Sequence, residues 1–92
     1  MRIIGEMPHP VFKITLFKMD TRYSIKFEDQ LFEQTYKFRE GPLLQSVEDV
    51  KKLITPAFIK KVEAVHQEMV ANSKSTLDQY KEDALNEFDE II

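Results

Sequence analysis

The chain contains no cysteine, which removes disulfide frameworks, thiolate nucleophiles and cysteine-rich zinc sites together and fits a reducing compartment. Its two glycines, Gly5 and Gly41, lie far apart, so no glycine-rich loop is available to cradle a phosphate. No Gly-x-Ser-x-Gly elbow is present to expose a serine nucleophile, and the serines fall where helix caps are expected. No stretch approaches the roughly 20 apolar residues of a membrane span, and Met1 to Glu6 lack the apolar run of about 7 to 15 residues that a signal peptide needs. These absences lead to the expectation of a cytoplasmic, non-enzymatic chain with no cofactor, no evident small-molecule substrate and no membrane.

What is present is a chain of 92 residues with 42% hydrophobic content, enough for one core in one domain. At this size stability is modest, and burial between subunits would add to it. The domain divides into a sheet half, residues 1–41, and a helical half, residues 46–92. From Val11 to Arg39 three runs alternate apolar and polar residues, the period of half-buried strands. Phe12, Ile14 and Leu16 share one face, then Tyr23, Ile25 and Phe27, then Phe32, Gln34, Tyr36 and Phe38.

Turn centres at Asp20-Thr21 and Asp29-Gln30 would set Leu16 against Ile25, Ile14 against Phe27, Phe27 against Phe32, and Tyr23 against Tyr36. On the other face Lys13 would meet Glu28, Lys26 would meet Glu33, and Ser24 would meet Thr35, a solvated charge ladder. Neither turn has the Asn-Gly or Asp-Gly of a tight hairpin, so a four-residue loop about the same centre is equally compatible. Residues Arg2 to Glu6 offer a fourth, short edge strand. Pro8 and Pro10 hold the following segment extended, without ladder donors.

Beyond the Glu40-Gly41-Pro42 turn, Ser46 and Asp49 form a capping-box pattern that predicts a helix from Val47 to about Ile54. Thr55-Pro56 stops it and starts another, threonine capping and proline occupying the first position. Apolar residues then recur at Phe58, Val62, Val65 and Met69, and after Asn72-Ser73-Lys74-Ser75 at Thr76, Tyr80, Ala84, Phe88 and Ile91. Ser75 with Asp78 is a second capping-box pattern, leaving two readings: a break into two helices, or one rod. A single rod over 56–92 would measure about 55 Å at 1.5 Å per residue, twice the length of a strand. Leu77, Tyr80, Leu85, Phe88, Ile91 and Ile92 would then need a partner chain. The last eighteen residues carry six carboxylates against Lys81 alone, which opposes docking to anionic lipid.

Two constellations invite chemistry. Glu63 and His66, three apart on a helix, match half of a di-iron carboxylate pair, but the second pair and two further inward glutamates are missing. His66 is therefore read as flanking the packed stripe. His9 and His66 could meet across the fold, yet two histidines alone do not make a metal site. The polar sheet face carries Phe17, Arg22, Lys26, Lys37 and Arg39, with Lys13 nearby, a pattern able to hold a nucleic-acid backbone and stack a base. Against that stand Glu28, Glu33 and an isoelectric point near 5.4, where nucleic-acid-binding domains are basic.

The segments Ile3-Ile4-Gly5-Glu6-Met7-Pro8-His9-Pro10, Lys13-Ile14-Thr15-Leu16-Phe17-Lys18 and Leu31-Phe32-Glu33-Gln34-Thr35-Tyr36-Lys37 resemble a family of short uncharacterised bacterial proteins with no assigned activity. The resemblance covers mainly the first forty residues. It implies a bacterial, single-domain protein and lends no catalytic residue. The expected fold is α+β: a three-stranded antiparallel meander, or four-stranded with the edge strand, covered on one face by C-terminal helices. The expected function is a protein-interaction module, a homodimer or a partner of another protein, associating through the acidic C-terminal helix. The alternative is a nucleic-acid-binding domain using the polar sheet face.

Overall fold

A computed structural model describes the backbone of residues 1–91 and the side chains of residues 1–87. Four strands, β1 (Arg2–Met7), β2 (Lys13–Met19), β3 (Arg22–Glu28) and β4 (Glu33–Arg39), precede two helices, α1 (Val47–Leu53) and α2 (Pro56–Ile91). The strands form one antiparallel sheet in the order β1-β2-β3-β4. The edge strand is therefore real, and the fold is α+β.

The β2–β3 register is the one the alternation predicts: Lys13 opposite Glu28, Ile14 opposite Phe27, Leu16 opposite Ile25. Asp20 reaches φ 52° in the connecting turn, a left-handed conformation that aspartate tolerates better than most residues.

The β3–β4 register corrects the sequence expectation by two residues. Phe27 faces Gln34 rather than Phe32, Tyr23 faces Phe38 rather than Tyr36, Lys26 faces Thr35 rather than Glu33, and Ser24 faces Lys37 rather than Thr35. Asp29 is the cause. Its Oδ1 accepts from the backbone N–H of Leu31 at 2.9 Å and of Phe32 at 2.8 Å, and its own N–H donates to the Phe32 carbonyl at 3.0 Å. That arrangement closes a turn over Asp29 to Phe32 and moves its centre forward by one residue. A shift of two preserves side-chain parity, so the face assignment survives although the partners change.

The covered face of the sheet forms the core with Phe12, Ile14, Leu16, Tyr23, Ile25 and Phe27, closed by Val50 and Ile54 from the α1 region and Val62 from α2. Phe27 is its hub: its ring meets Phe12, Tyr36 and Phe58 edge-on at centroid distances of 6.2, 6.0 and 5.4 Å. Edge-to-face contacts of this kind each add about 0.5–1.5 kcal/mol to the burial of the rings. On β1 a bulge between Ile3 and Gly5 turns Ile4 toward the core, where it packs. A Cβ on Gly5 would stand 3.3 Å from Val47 Cγ2, so the glycine is what lets α1 sit close to the sheet.

The predicted caps form. Ser46 Oγ accepts from Asp49 N–H at 3.2 Å, and Thr55 Oγ1 accepts from Phe58 N–H at 3.1 Å. Asp49 reaches past the cap to accept from Gln45 N–H at 3.0 Å. The choice between one rod and two helices resolves as one: α2 runs 36 residues without a break. Ser75 thus caps nothing.

The stripe by which α2 meets the sheet also departs from expectation. Val65 is 40% exposed, while Phe58, Ile59, Val62, His66 and Met69 turn toward the sheet or its turns. His66 lies in the packed face rather than beside it.

Candidate functional site

Three places on the molecule gather functional-type side chains: the end of the sheet under His66, the uncovered sheet face, and the part of α2 that leaves the sheet.

At the first, His66 Nε2 lies 2.6 Å from Asp29 Oδ2, and its ring meets Phe12 and Phe32 edge-on at 5.2 and 5.8 Å. His9 stacks on Phe12 at 5.2 Å, and its Nδ1 accepts from the N–H groups of Val11 and Phe12, each at 3.1 Å. Its Nε2 lies 3.7 Å from Glu63 Oε1. The two histidines do approach the same ring, but each is engaged by its own carboxylate, and no group of three metal-type ligands occurs among the described residues.

The Asp29 carboxyl is held below its usual range, first by the Leu31 and Phe32 N–H groups and then by the His66 hydrogen bond. Asp29 therefore ties α2 to the β3–β4 turn. Gln34 does the same one turn away: its Nε2 donates to the Val62 carbonyl at 2.9 Å while its Oε1 accepts from Tyr36 O–H at 2.7 Å. Neither Asp29 nor Gln34 stands out in the sequence as a helix anchor. A polar residue at a core-face position of β4 was the available signal for Gln34.

The uncovered face holds every residue of the nucleic-acid alternative. Arg22 pairs with Arg39, Ser24 with Lys37, and Lys26 with Thr35, and Phe17 neighbours Ser24. Lys26 Nζ sits 5.3 Å from the centre of the Phe17 ring and 3.6 Å from Glu28 Oε1. Phe17 is thus half-buried beneath a lysine rather than open for stacking. Among the described residues Arg22, Lys37 and Arg39 have no ionic partner. Met1 is 82% exposed, Ile3 61% and Met19 40%, and Met1, Met19, Phe17 and Lys37 border one shallow depression. Thr15, at the middle of this face, is buried with Oγ1 unpartnered among the described residues.

No family model, curated protein or solved structure matches the chain. The reading of function accordingly rests on geometry alone.

The third place is α2 beyond Val70. Every residue from Ala71 to Asp83 is exposed, with Leu77 at 52%, Tyr80 at 69% and Leu85 at 64%. Leu77, Tyr80 and Ala84 each stand eighteen positions, about five turns at 3.6 residues per turn, beyond Ile59, Val62 and His66. The apolar stripe of the overhang is therefore the sheet-packing face continued past the sheet. Phe88, Ile91 and Ile92, also expected on this surface, lie outside the residues whose side chains are described. No described helix is long and apolar enough to cross a membrane.

Proposed function

We propose that this protein is a non-catalytic interaction module that self-associates through the overhanging half of α2. The observation that carries the reading is the continuation of the packed face, in phase, onto a helix segment exposed at every residue from Ala71 to Asp83. A helix of 36 residues is about 54 Å long, whereas a seven-residue strand covers about 23 Å. An isolated helical segment with an apolar stripe is marginal in water and gains most of its stability from packing. A partner that buries Leu77, Tyr80 and Ala84, with Leu85 at the margin of the stripe, supplies that packing.

Sedimentation velocity over a micromolar concentration series tests the proposal. The wild-type chain is expected to move from monomer to dimer, and Tyr80→Asp with Leu85→Asp to remain monomeric while keeping a cooperative melt. A wild-type chain that stays monomeric throughout removes the reading.

A second reading, nucleic-acid binding, draws support from Arg22, Lys37 and Arg39, cations with no carboxylate partner among the described residues. It predicts binding of labelled single-stranded DNA at low salt, weakened uniformly by Lys37→Glu and Arg39→Glu. The cover of Lys26 over Phe17 and the acidic whole weigh against it.

A further inference from the structure

We infer that the surface receiving the overhang is the uncovered face of a second copy's sheet, reciprocally, so that in the dimer each sheet lies between two α2 helices. This rests on the self-association reading and names the partner surface within it.

The first support is the direction of the stripe. Because Leu77 and Tyr80 repeat the phase of Ile59 and Val62, they point toward the layer occupied by their own sheet. Whatever meets them must lie in that layer, beyond the sheet. A second sheet placed there by a two-fold axis within the layer is turned over. It offers its bare face to this overhang, while its own α2 crosses to the bare face of the first sheet. Such a contact is isologous and closes after two copies.

Length agrees. Pro56 to Val70 cover the first sheet in about 22 Å, and Ala71 to Ile91 extend about 31 Å at 1.5 Å per residue, enough to cross strands of about 23 Å. α2 leaves its sheet at the end where His66 meets Asp29, so it would enter the partner's sheet at the equivalent end.

Charge then varies along the contact in the required sense. At the end first reached, Glu28 stands directly opposite Glu33, and the early overhang carries Lys74. At the far end Arg22 stands directly opposite Arg39, with Lys37 opposite Ser24, where the late overhang brings Glu82, Asp83 and Glu87 against the single cation Lys81. Like charges set opposite one another across strands are unfavourable alone; Glu28 already has Lys26 Nζ at 3.6 Å, so it is the Arg22–Arg39 pair that gains a counter-charge in this arrangement. The exposed Ile3 and Met19 supply apolar surface at this cationic end, Met19 directly opposite Arg22 and Ile3 in the row of Phe17, Ser24 and Lys37. The competing arrangement, overhang against overhang, would place the carboxylates of one helix beside those of the other and leave the cationic end of the sheet unpaired.

Charge exchange tests this. Lys37→Glu with Arg39→Glu makes one variant, Asp83→Lys with Glu87→Lys the other. Each alone is expected to dimerise at least tenfold more weakly than wild type in sedimentation, and their equimolar mixture to form a heterodimer, which also shows that both are folded. If the Lys37/Arg39 variant dimerises like wild type while Tyr80→Asp with Leu85→Asp is monomeric, self-association stands and this receiving surface is wrong. If the wild type is itself monomeric, both fall. A monomer that binds single-stranded DNA, and loses it in the Lys37/Arg39 variant, assigns the face to nucleic acid instead.

Discussion

Thr15 sits on the uncovered face and is nonetheless buried, 3% exposed, with a hydroxyl that has no partner among the described residues. A buried unsatisfied hydroxyl costs free energy that a methyl of the same shape does not. Thr15→Val is therefore expected to raise stability by about 1 kcal/mol, read as a higher denaturant midpoint at unchanged slope. Asp29 works in the opposite sense. Its carboxyl is held below the usual range by the Leu31 and Phe32 N–H groups and by His66, and Asp49 is held low chiefly by Gln45 N–H. Between their folded values and the ordinary value near 4 the unfolded chain binds more protons, so stability rises with pH. The stabilisation is fully present above that ordinary value and disappears as pH falls through the folded values. Urea midpoints should accordingly drop on acidification below about pH 4, and Asp29→Asn should lower stability at neutral pH while making this acid decline shallower. An unchanged acid profile in Asp29→Asn would show that the turn hydrogen bonds do not perturb the carboxyl.

At the scale of the element, α2 is one helix with two surroundings. Pro56 to Met69 contribute Val62, Phe58, Ile59 and His66 to the packing of the sheet, whereas Ala71 to Asp83 are wholly exposed. Ending the chain after Val70 should leave a sheet that still melts cooperatively but no longer dimerises, so that its melting temperature loses any dependence on concentration. Loss of cooperative folding in that truncated chain would mean that the overhang packs on its own domain. Ser75-Thr76-Leu77-Asp78 resembles a helix start in the sequence, yet the helix passes through it. A capping box matters only where backbone N–H groups are free, and inside a continuous helix they are already bonded to the preceding turn.

At the scale of the molecule, the chain measures 65 × 27 × 19 Å with a radius of gyration of 18.8 Å. A compact domain of this length would have a radius near 12 Å. The excess is the overhang, and it is what turns a plain two-layer domain into a candidate for pairing. The two surfaces left open, an acidic helix and a sheet face with a cationic end, differ in charge and each carries apolar residues.

The alternation of Phe12, Ile14, Leu16, Tyr23, Ile25 and Phe27 determines by itself which face of the sheet is buried. Ser46 and Thr55 mark where the two helices begin, while the similar pattern at Ser75 starts none. Both are local consequences of backbone geometry, readable wherever side-chain period and cap chemistry agree. The pairing of β3 with β4 was legible only in parity, because Asp29 can close its turn about either of two centres until Leu31 and Phe32 present their N–H groups. That His66, rather than Val65, faces the sheet was hidden in the same way. A histidine joins an apolar stripe only when tertiary structure supplies an aspartate for its nitrogen and phenylalanine rings for its edge. The continuity of α2 is likewise a tertiary outcome, and it carries the stripe beyond Val70 past the sheet, where Ala71 to Asp83 are exposed.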